Sequence, residues 1–320
     1  MGRGKAARIM RIVFMGTPES ALASLRRLID DGHEIVSVWT QPDKPAGRHH
    51  RLRAAPVKEF AQARGLPVHQ LAKINNDEAK TLFASHNAET AVVVAYGKIL
   101  PAEYLSAPGH GCINLHFSLL PKYRGAAPVN WAIVNGEKET GVTTMKIVQE
   151  LDAGPILLQR STDIAENETA PELMNRLANI GAELVSETLN RIETIKPQPQ
   201  RDEEATFAPI LKRADGLVDW TMDAFAIERR VRGFQPWPGA FALHGSHRVI
   251  IWNAAAERVH SPAEQPGQIV EATGERLLIA CGKASALRIL SAQQEGKRRM
   301  NVREFLNGAR LIQGEILGGT

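Results

Sequence analysis

Along the first two hundred residues the spacing of apolar positions switches repeatedly between two periods. Arg11–Met15 is a short β-prone run, and Leu22, Leu25, Leu28 and Ile29 then recur at helical spacing. Thr17 and Pro18 are placed to act as N-cap and first helical residue, and Asp31-Gly32 ends the helix before a second strand at Glu34–Thr40. Further helices are predicted from Pro56-Val57 and over Glu78–His86. Ala91–Ala95 reads as a buried strand, Cys112–Leu115 as a short one, and Ala126–Val134 as the helix behind it. Val142–Val148 and Ile156–Gln159 predict strands joined through Leu151-Asp152-Ala153-Gly154-Pro155. A long helix then runs from Pro171 to about Ile192, with Leu173, Leu177, Ile180, Leu184 and Leu189 on one stripe. This β-α-β-α succession predicts an α/β fold with a doubly wound, Rossmann-like, mostly parallel sheet.

The pattern breaks at Lys196-Pro197-Gln198-Pro199-Gln200 and Arg201-Asp202-Glu203-Glu204, proline-rich and then charged, the composition of a linker. Beyond it one helix (about Met222–Val231) precedes short β runs at Phe241–Leu243, Arg248–Trp252, Gln268–Glu271, Arg276–Ala280 and Ala286–Leu290. Helical signals return near Val302–Gly308. The expected organisation is a first domain over 1–196, a linker over 197–206, and a small C-terminal β-barrel of the oligonucleotide-binding type over 207–320.

Composition narrows the class. Hydrophobic residues are 43% and charged residues 23% of the 320-residue chain, enough apolar area for a folded core. No uncharged run reaches the roughly 20 residues of a membrane helix. Two cysteines exclude a disulfide framework and a cysteine-built zinc site, and a cytoplasmic setting is expected. The basic residues before Met10 lack a signal peptide's apolar core and read as a frayed leader or an early start. The net charge of +4 lies wholly in residues 207–320, with 15 basic and 11 acidic side chains, while the first 206 residues carry 24 of each. That excess is compatible with a polyanion-binding surface and equally with ordinary scatter.

Candidate chemistry concentrates in Asn114–Pro128. In an extended segment Asn114 and His116 point to one side, at the C-terminal end of a parallel strand, where α/β folds place their ligands. An Asn amide can donate to a developing oxyanion, and a His can donate or relay a proton. Alone, Asn-x-His could equally brace a tight turn, as could Asp152 in its Asp/Gly turn. Together, with no metal ligands at metal spacing, Asn114, His116 and Asp152 fit acyl-type transfer to a nucleophile that the substrate brings. The close histidine pairs His49-His50 and His244/His247 have no companion ligand, so no metal is expected. Phe14-Met15-Gly16-Thr17-Pro18 lacks the G-x-G-x-x-G spacing and disfavours a dinucleotide; Gly16 is read as allowing a tight turn. Cys112 reads as a small buried residue rather than a nucleophile.

The same stretch, Asn114-Leu115-His116-Phe117-Ser118-Leu119-Leu120-Pro121 through Tyr123-Arg124-Gly125, resembles the signature of the formyltransferases that use 10-formyltetrahydrofolate. The resemblance extends to Thr40–Arg48, Ala95–Pro101, Ala214–Trp220 and Arg232–Ala240, and covers about residues 10–315, with Tyr123 where some members carry Trp. It implies formyl transfer to methionyl initiator tRNA, with Asn114, His116 and Asp152 catalytic. A small amine such as an amino sugar-nucleotide is the alternative acceptor. It further implies folate contacts at Ser118, Leu119, Leu120 and Pro121 and at the Tyr96-Gly97 turn. The folate would be a co-substrate, with no tightly bound cofactor, and the protein a monomer without membrane contact. The Gln41–Ala55 stretch, otherwise a solvated connector, becomes an acceptor-end loop with Lys44, Arg48 and Arg51 toward tRNA. Arg248, Lys297, Arg298 and Arg299 of the basic C-terminal region would hold the tRNA backbone.

Overall fold

The computed structural model describes residues 8–46, 51–259 and 265–318. The chain forms two compact units: Met1–Gly125 with Thr140–Asp163 and Met174–Phe207, and Ala126–Glu139 with Ile164–Leu173 and Ala208–Thr320. Residues 126–139 and 164–173, which the apolar pattern groups with the first domain, thus count with the C-terminal unit.

In the first unit, strands β1 (Arg11–Gly16), β2 (Glu34–Trp39), β5 (Val68–His69), β6 (Thr90–Val94), β7 (Cys112–His116), β9 (Glu139–Lys146) and β10 (Ile156–Asp163) form one sheet. Its order is β10-β9-β7-β6-β1-β2-β5. The pairs β1–β2, β1–β6, β2–β5 and β6–β7 are parallel, and β7–β9 is antiparallel. Strand order reverses between β1 and β6, the point where such sheets open a crevice at the strands' carboxyl ends. Strands β3 (Lys44–Ala46) and β4 (Arg51–Arg53) pair as a separate antiparallel hairpin, and β8 (Arg124–Gly125) is a two-residue strand.

Helices α1 (Leu22–Asp30), α2 (Pro56–Gln62), α3 (Asp77–Ser85), α4 (Ala102–Ser106) and α6 (Ala170–Asn190) alternate with these strands, and α5 (Pro128–Val134), between β8 and β9 in the chain, counts with the second unit. Both faces of the sheet are covered. On one, Phe83 of α3 and Tyr104 of α4 join Val13, Met15, Trp39, Val93 and Cys112 in a buried cluster. On the other, α1 and α6 are linked by the Arg27–Glu183 ion pair, and Leu115 packs against Gly181 of α6. Burying both faces explains why β6 reads as a continuous apolar run, all five residues buried.

After β11 (Phe207–Ala208), the second unit builds an antiparallel sheet from β12 (Ala240–His244), β13 (His247–Arg258), β14 (Ile269–Thr273), β15 (Arg276–Cys281) and β16 (Ser285–Gln294). The order is β12-β13-β16-β15-β14, with β17 (Met300–Asn301) added to β16. Residues 315–318 bridge the two edges: Leu243 and Gly318 exchange both backbone hydrogen bonds, while Ile269 N–H donates to Glu315 and Leu317 N–H to Gly267. Pairing both edges closes the sheet, which is how small antiparallel domains remove exposed edges. Trp220, Ile227, Val231, Ile251, Ile279, Leu287, Phe305 and Leu317 fill the interior. Helix α7 (Ala224–Gly233) starts on an Asp223 cap that accepts from Phe225 N–H at 3.0 Å. Helix α8 (Val302–Ala309) starts on Asn301, which accepts from Glu304 N–H at 2.9 Å. No helix of the described residues is long and apolar enough to cross a membrane.

Candidate active site

Three loops leave the carboxyl ends of β1, β2 and β6 and are tied together. Thr17 Oγ1 accepts from Gln41 N–H at 3.1 Å and donates to the Tyr96 carbonyl at 3.4 Å, and Gln41 Nε2 donates to that same carbonyl at 3.0 Å. Thr17 is therefore not the N-cap that its position before Pro18 predicts. The helical turn at Glu19–Ala21 begins on Pro18 without a side-chain cap, because Thr17 is taken by the neighbouring loops. Gly16 is required by close approach, since a Cβ there would lie 2.9 Å from the Val94 carbonyl. The Tyr96 side chain points into the core, where burial pushes its phenol up and leaves the hydroxyl without a partner. On either side of Tyr96, Ala95 and Gly97 are exposed, at φ 48° and 80°.

Strand β7 carries the two central side chains. Its register places Asn114 opposite Val93 and Met145, and His116 opposite Thr143. Asn114 is half-buried, and its carboxamide makes no hydrogen bond among the described residues. That side chain is an uncommitted amide donor and acceptor. The following turn is fixed from β9: Thr143 Oγ1 donates to the Ser118 carbonyl at 2.7 Å and accepts from Leu120 N–H at 3.2 Å. Gln159 Nε2 adds a bond to the Leu120 carbonyl at 2.8 Å. Ser118 spends its hydroxyl on the Lys122 carbonyl at 2.6 Å and, like Leu120, is buried. Of the four residues expected at the folate, Leu119 and Pro121 keep side-chain surface, and Ser118 and Leu120 serve the turn itself.

His116 is buried between two acceptors. Nε2 lies 2.9 Å from the Tyr123 carbonyl and so donates to it, and Nδ1 lies 3.6 Å from Asp152 Oδ2. The Nε2 contact is a hydrogen bond, and the longer Nδ1 separation sets the Asp152 carboxylate at ion-pair range of the ring. Asp152 Oδ2 also accepts from Gly125 N–H at 2.9 Å. Asp152 itself sits at φ 51°, on a turn closed by Gly154, where a Cβ would fall 1.7 Å from the Lys146 carbonyl. The structure thus brings Asp152 to His116 across about 35 residues of chain, and it leaves Asn114 as the open donor on the same strand. Two contributors were not visible in the sequence. Arg124, 6% exposed, donates from Nε to Gln200 Oε1 at 3.0 Å and from Nη2 to Asp202 at 2.9 Å. Gln200 in turn donates to the carbonyls of Asp152 and Gly154, both at 2.8 Å. The stretch read as a linker is in fact hydrogen-bonded here: Gln198 bridges Ile156 and Thr206 holds Tyr123 N–H at 2.9 Å. Only a tertiary fold could show that pairing.

The basic residues expected at tRNA are distributed unevenly. Arg48 lies outside the described residues, as does the His49-His50 pair. Lys44 and Arg51 occupy the β3–β4 hairpin, where Lys44 pairs with Arg53 and Ala46 with Arg51. In the second unit Arg248 and the turn after β16 share one sheet end, since Glu295 N–H donates to the Arg248 carbonyl at 2.9 Å. Arg248 is packed 3.7 Å from the Phe241 ring centroid, with its Nε buried and its charge disfavoured by desolvation. Lys297, Arg298 and Arg299 are exposed; Arg298 pairs with Glu304 at 3.0 Å and Arg299 lies over Trp252. Burial pushes the Cys112 thiol up to about 12, which keeps it a protonated core residue. No group of three or more His, Cys, Asp or Glu that could hold a metal gathers among the described residues.

A reversing α/β sheet with a free carboxamide beside an aspartate-flanked histidine has the parts of a group-transfer enzyme that acts on a carbonyl carbon. Comparison with known proteins gives the family. Residues 10–189 match the family described as formyl transferase, and residues 210–310 match the formyl transferase C-terminal domain. The chain belongs to the formyl transferase family. It is 49% identical over 311 residues to the methionyl-tRNA formyltransferase of Caldanaerobacter subterraneus, covering 96% of this chain and 100% of that one. It is 46% identical over 310 residues to the methionyl-tRNA formyltransferase of Pelobacter propionicus, covering 96% of each. Among solved structures, the fold is similar to WlaRD, a sugar 3N-formyl transferase, with TM-score 0.65 and 20% identity over 91% of this chain and 100% of that chain. It is also similar to HypX from Aquifex aeolicus in complex with tetrahydrofolic acid, with TM-score 0.63 and 20% identity over 98% of this chain; the match spans 51% of HypX.

Proposed function

We propose that this protein transfers the formyl group of 10-formyltetrahydrofolate to the α-amino group of methionyl initiator tRNA. The observation that carries the reading is the unpartnered Asn114 carboxamide beside the His116–Asp152 pair, in a chain nearly half identical, end to end, to methionyl-tRNA formyltransferases. The neutral amine attacks the formyl carbon, forming the new C–N bond and turning the carbonyl into an oxyanion. Asn114 donates to that oxyanion, an interaction worth about 3–4 kcal/mol for a well-placed donor. His116 adds positive charge beside it. Asp152 holds that charge in place and takes the amine proton, directly or through water. Collapse of the intermediate breaks the bond to N10, which regains a proton as tetrahydrofolate leaves.

Leu119, Pro121 and the exposed Gly97 beside the buried Tyr96 would face the folate, with the Ser118 and Leu120 side chains holding the wall from behind. Lys44, Arg48 and Arg51 would meet the acceptor end of the tRNA. Lys297, Arg298 and Arg299 would lie along its backbone, and Arg248 would support that sheet end. We place the enzyme in the cytoplasm and expect it to act as a monomer. The test is incubation with 10-formyltetrahydrofolate and a mixture of charged initiator tRNA and an amino sugar-nucleotide. N-formylmethionine on the tRNA is the expected product, and exclusive formylation of the sugar would overturn the acceptor assignment.

A further inference from the structure

We propose that Gln200 is a positioning residue for Asp152, joining the two loops that flank His116. The proposal rests on the catalytic role given to Asp152 above. Asp152 needs outside support: its backbone is in the left-handed region at φ 51°, and the turn's own bond, Ala153 N–H to the Glu150 carbonyl, is long at 3.4 Å. Gln200 supplies that support. Its two amide hydrogens go to the carbonyls on either side of Ala153, those of Asp152 and Gly154, each at 2.8 Å. Its Oε1 accepts from Arg124 Nε at 3.0 Å. One carboxamide therefore links the aspartate turn to the buried arginine of the signature loop.

The signature loop in turn addresses the site with three consecutive residues. The Tyr123 carbonyl accepts from His116 Nε2 at 2.9 Å, the Arg124 guanidinium holds Gln200, and Gly125 N–H donates to Asp152 Oδ2 at 2.9 Å. Asp152 is fixed at both ends, its carbonyl by Gln200 and its carboxylate by Gly125. Without Gln200 only the carboxylate end remains tied, and the turn is free to relax from its left-handed conformation. The carboxylate would then drift from His116 Nδ1, which it faces at 3.6 Å. A leucine at 200 keeps the volume and removes every bond. A glutamate keeps the acceptor for Arg124, removes both donors and adds a negative charge against the two carbonyls, so a loss common to both variants is assigned to the donors.

The experiment is steady-state formylation by the full-length protein carrying Gln200→Leu, Gln200→Glu, Asp152→Asn, and each Gln200 change combined with Asp152→Asn. Both single Gln200 variants should lose about tenfold to a hundredfold in kcat, as a displacement near 1 Å costs, while KM for 10-formyltetrahydrofolate stays put. In the Asp152→Asn background either Gln200 change should cost less than about twofold more, because residues acting through one group are non-additive. Wild-type kcat in both single variants would overturn the proposal, as would losses that multiply in the double variants. If Gln200→Leu gives no cooperative melting, Gln200→Glu carries the test alone. A wild-type protein that formylates nothing refutes the proposed function rather than this brace. The brace is then read from the His116 imidazole ¹⁵N resonances, which Gln200→Glu should move toward those of Asp152→Asn; unmoved resonances would overturn it.

Discussion

Asp152 is the residue at which charge can be separated from geometry. It sits at φ 51°, a conformation that Asn tolerates better than any other replacement except glycine. Asp152→Asn keeps an oxygen to accept from Gly125 N–H and removes only the negative charge facing His116. We expect kcat to fall by about 10²–10⁴, the range for a lost proton-transfer partner, with the thermal midpoint little changed. Rapid-quench formylation alongside a melting curve checks both halves, and a slow variant that also melts early would return Asp152 to a structural role. Gly154 tests the opposite case. A Cβ there would meet the Lys146 carbonyl at 1.7 Å, so Gly154→Ala should destabilise the first unit by about 1–3 kcal/mol, measured by urea unfolding.

Elements that bury whole faces were legible in the sequence. The parallel strands β1, β2, β6 and β7, with α1 and α6, follow from uninterrupted periodicity, whereas the two-residue β5 at Val68–His69 is too short to carry a period; the closing helix α8 emerged where Val302 and Phe305 recur. Strand β13 runs on to Arg258, beyond the expected Trp252, because its ladder to β16 continues past a register shift at Asn253 through Ala254-Ala255-Ala256, residues of weak β propensity. Asn114, His116 and Asp152 stand out in the sequence as candidate chemistry, and the fold sets His116 and Asp152 3.6 Å apart. The brace of Arg124, Gln200 and Thr206, and the cross-tie of Thr17 with Gln41, were not, since polar residues on turns announce their partners only once distant segments meet. The histidines yield a prediction at this scale. Burial holds His33, His69 and His86 below the ordinary histidine value, and His33 Nδ1 already accepts from Met10 N–H at 3.2 Å, which a proton there would break. The unfolded chain therefore takes up protons that the folded one refuses. Their contribution is fully present above pH about 6.5 and is lost as pH falls through the folded values. Urea midpoints measured downward from neutrality should drop in this window, and His33→Asn, which retains an acceptor, should flatten the drop.

For the molecule as a whole, the question is how charge is used. The basic excess lies beyond residue 206, and the turn Lys297-Arg298-Arg299 is a run of three exposed cations within it. Each phosphate contact releases counterions, so replacing all three with Ala should weaken binding to initiator and elongator tRNAs alike and reduce the slope of log K against log salt by up to about 0.9 per lost contact. Filter binding across a salt series measures it. Arg48→Ala should behave differently, lowering initiator formylation and narrowing the gap to elongator with folate KM unchanged, because an acceptor-end contact selects among tRNAs rather than holding all of them. In the proposed function Asn114, His116 and Asp152 act together on one tetrahedral intermediate of formyl transfer to methionyl initiator tRNA. Single-turnover formylation with saturating 10-formyltetrahydrofolate, in the wild type and the Asn114→Ala, His116→Ala and Asp152→Ala variants, tests it most directly. N-formylmethionyl-tRNA is expected from the wild type, with rates lower by orders of magnitude in each variant at unchanged tRNA affinity; near-wild-type rates in any two of them would contradict a shared intermediate.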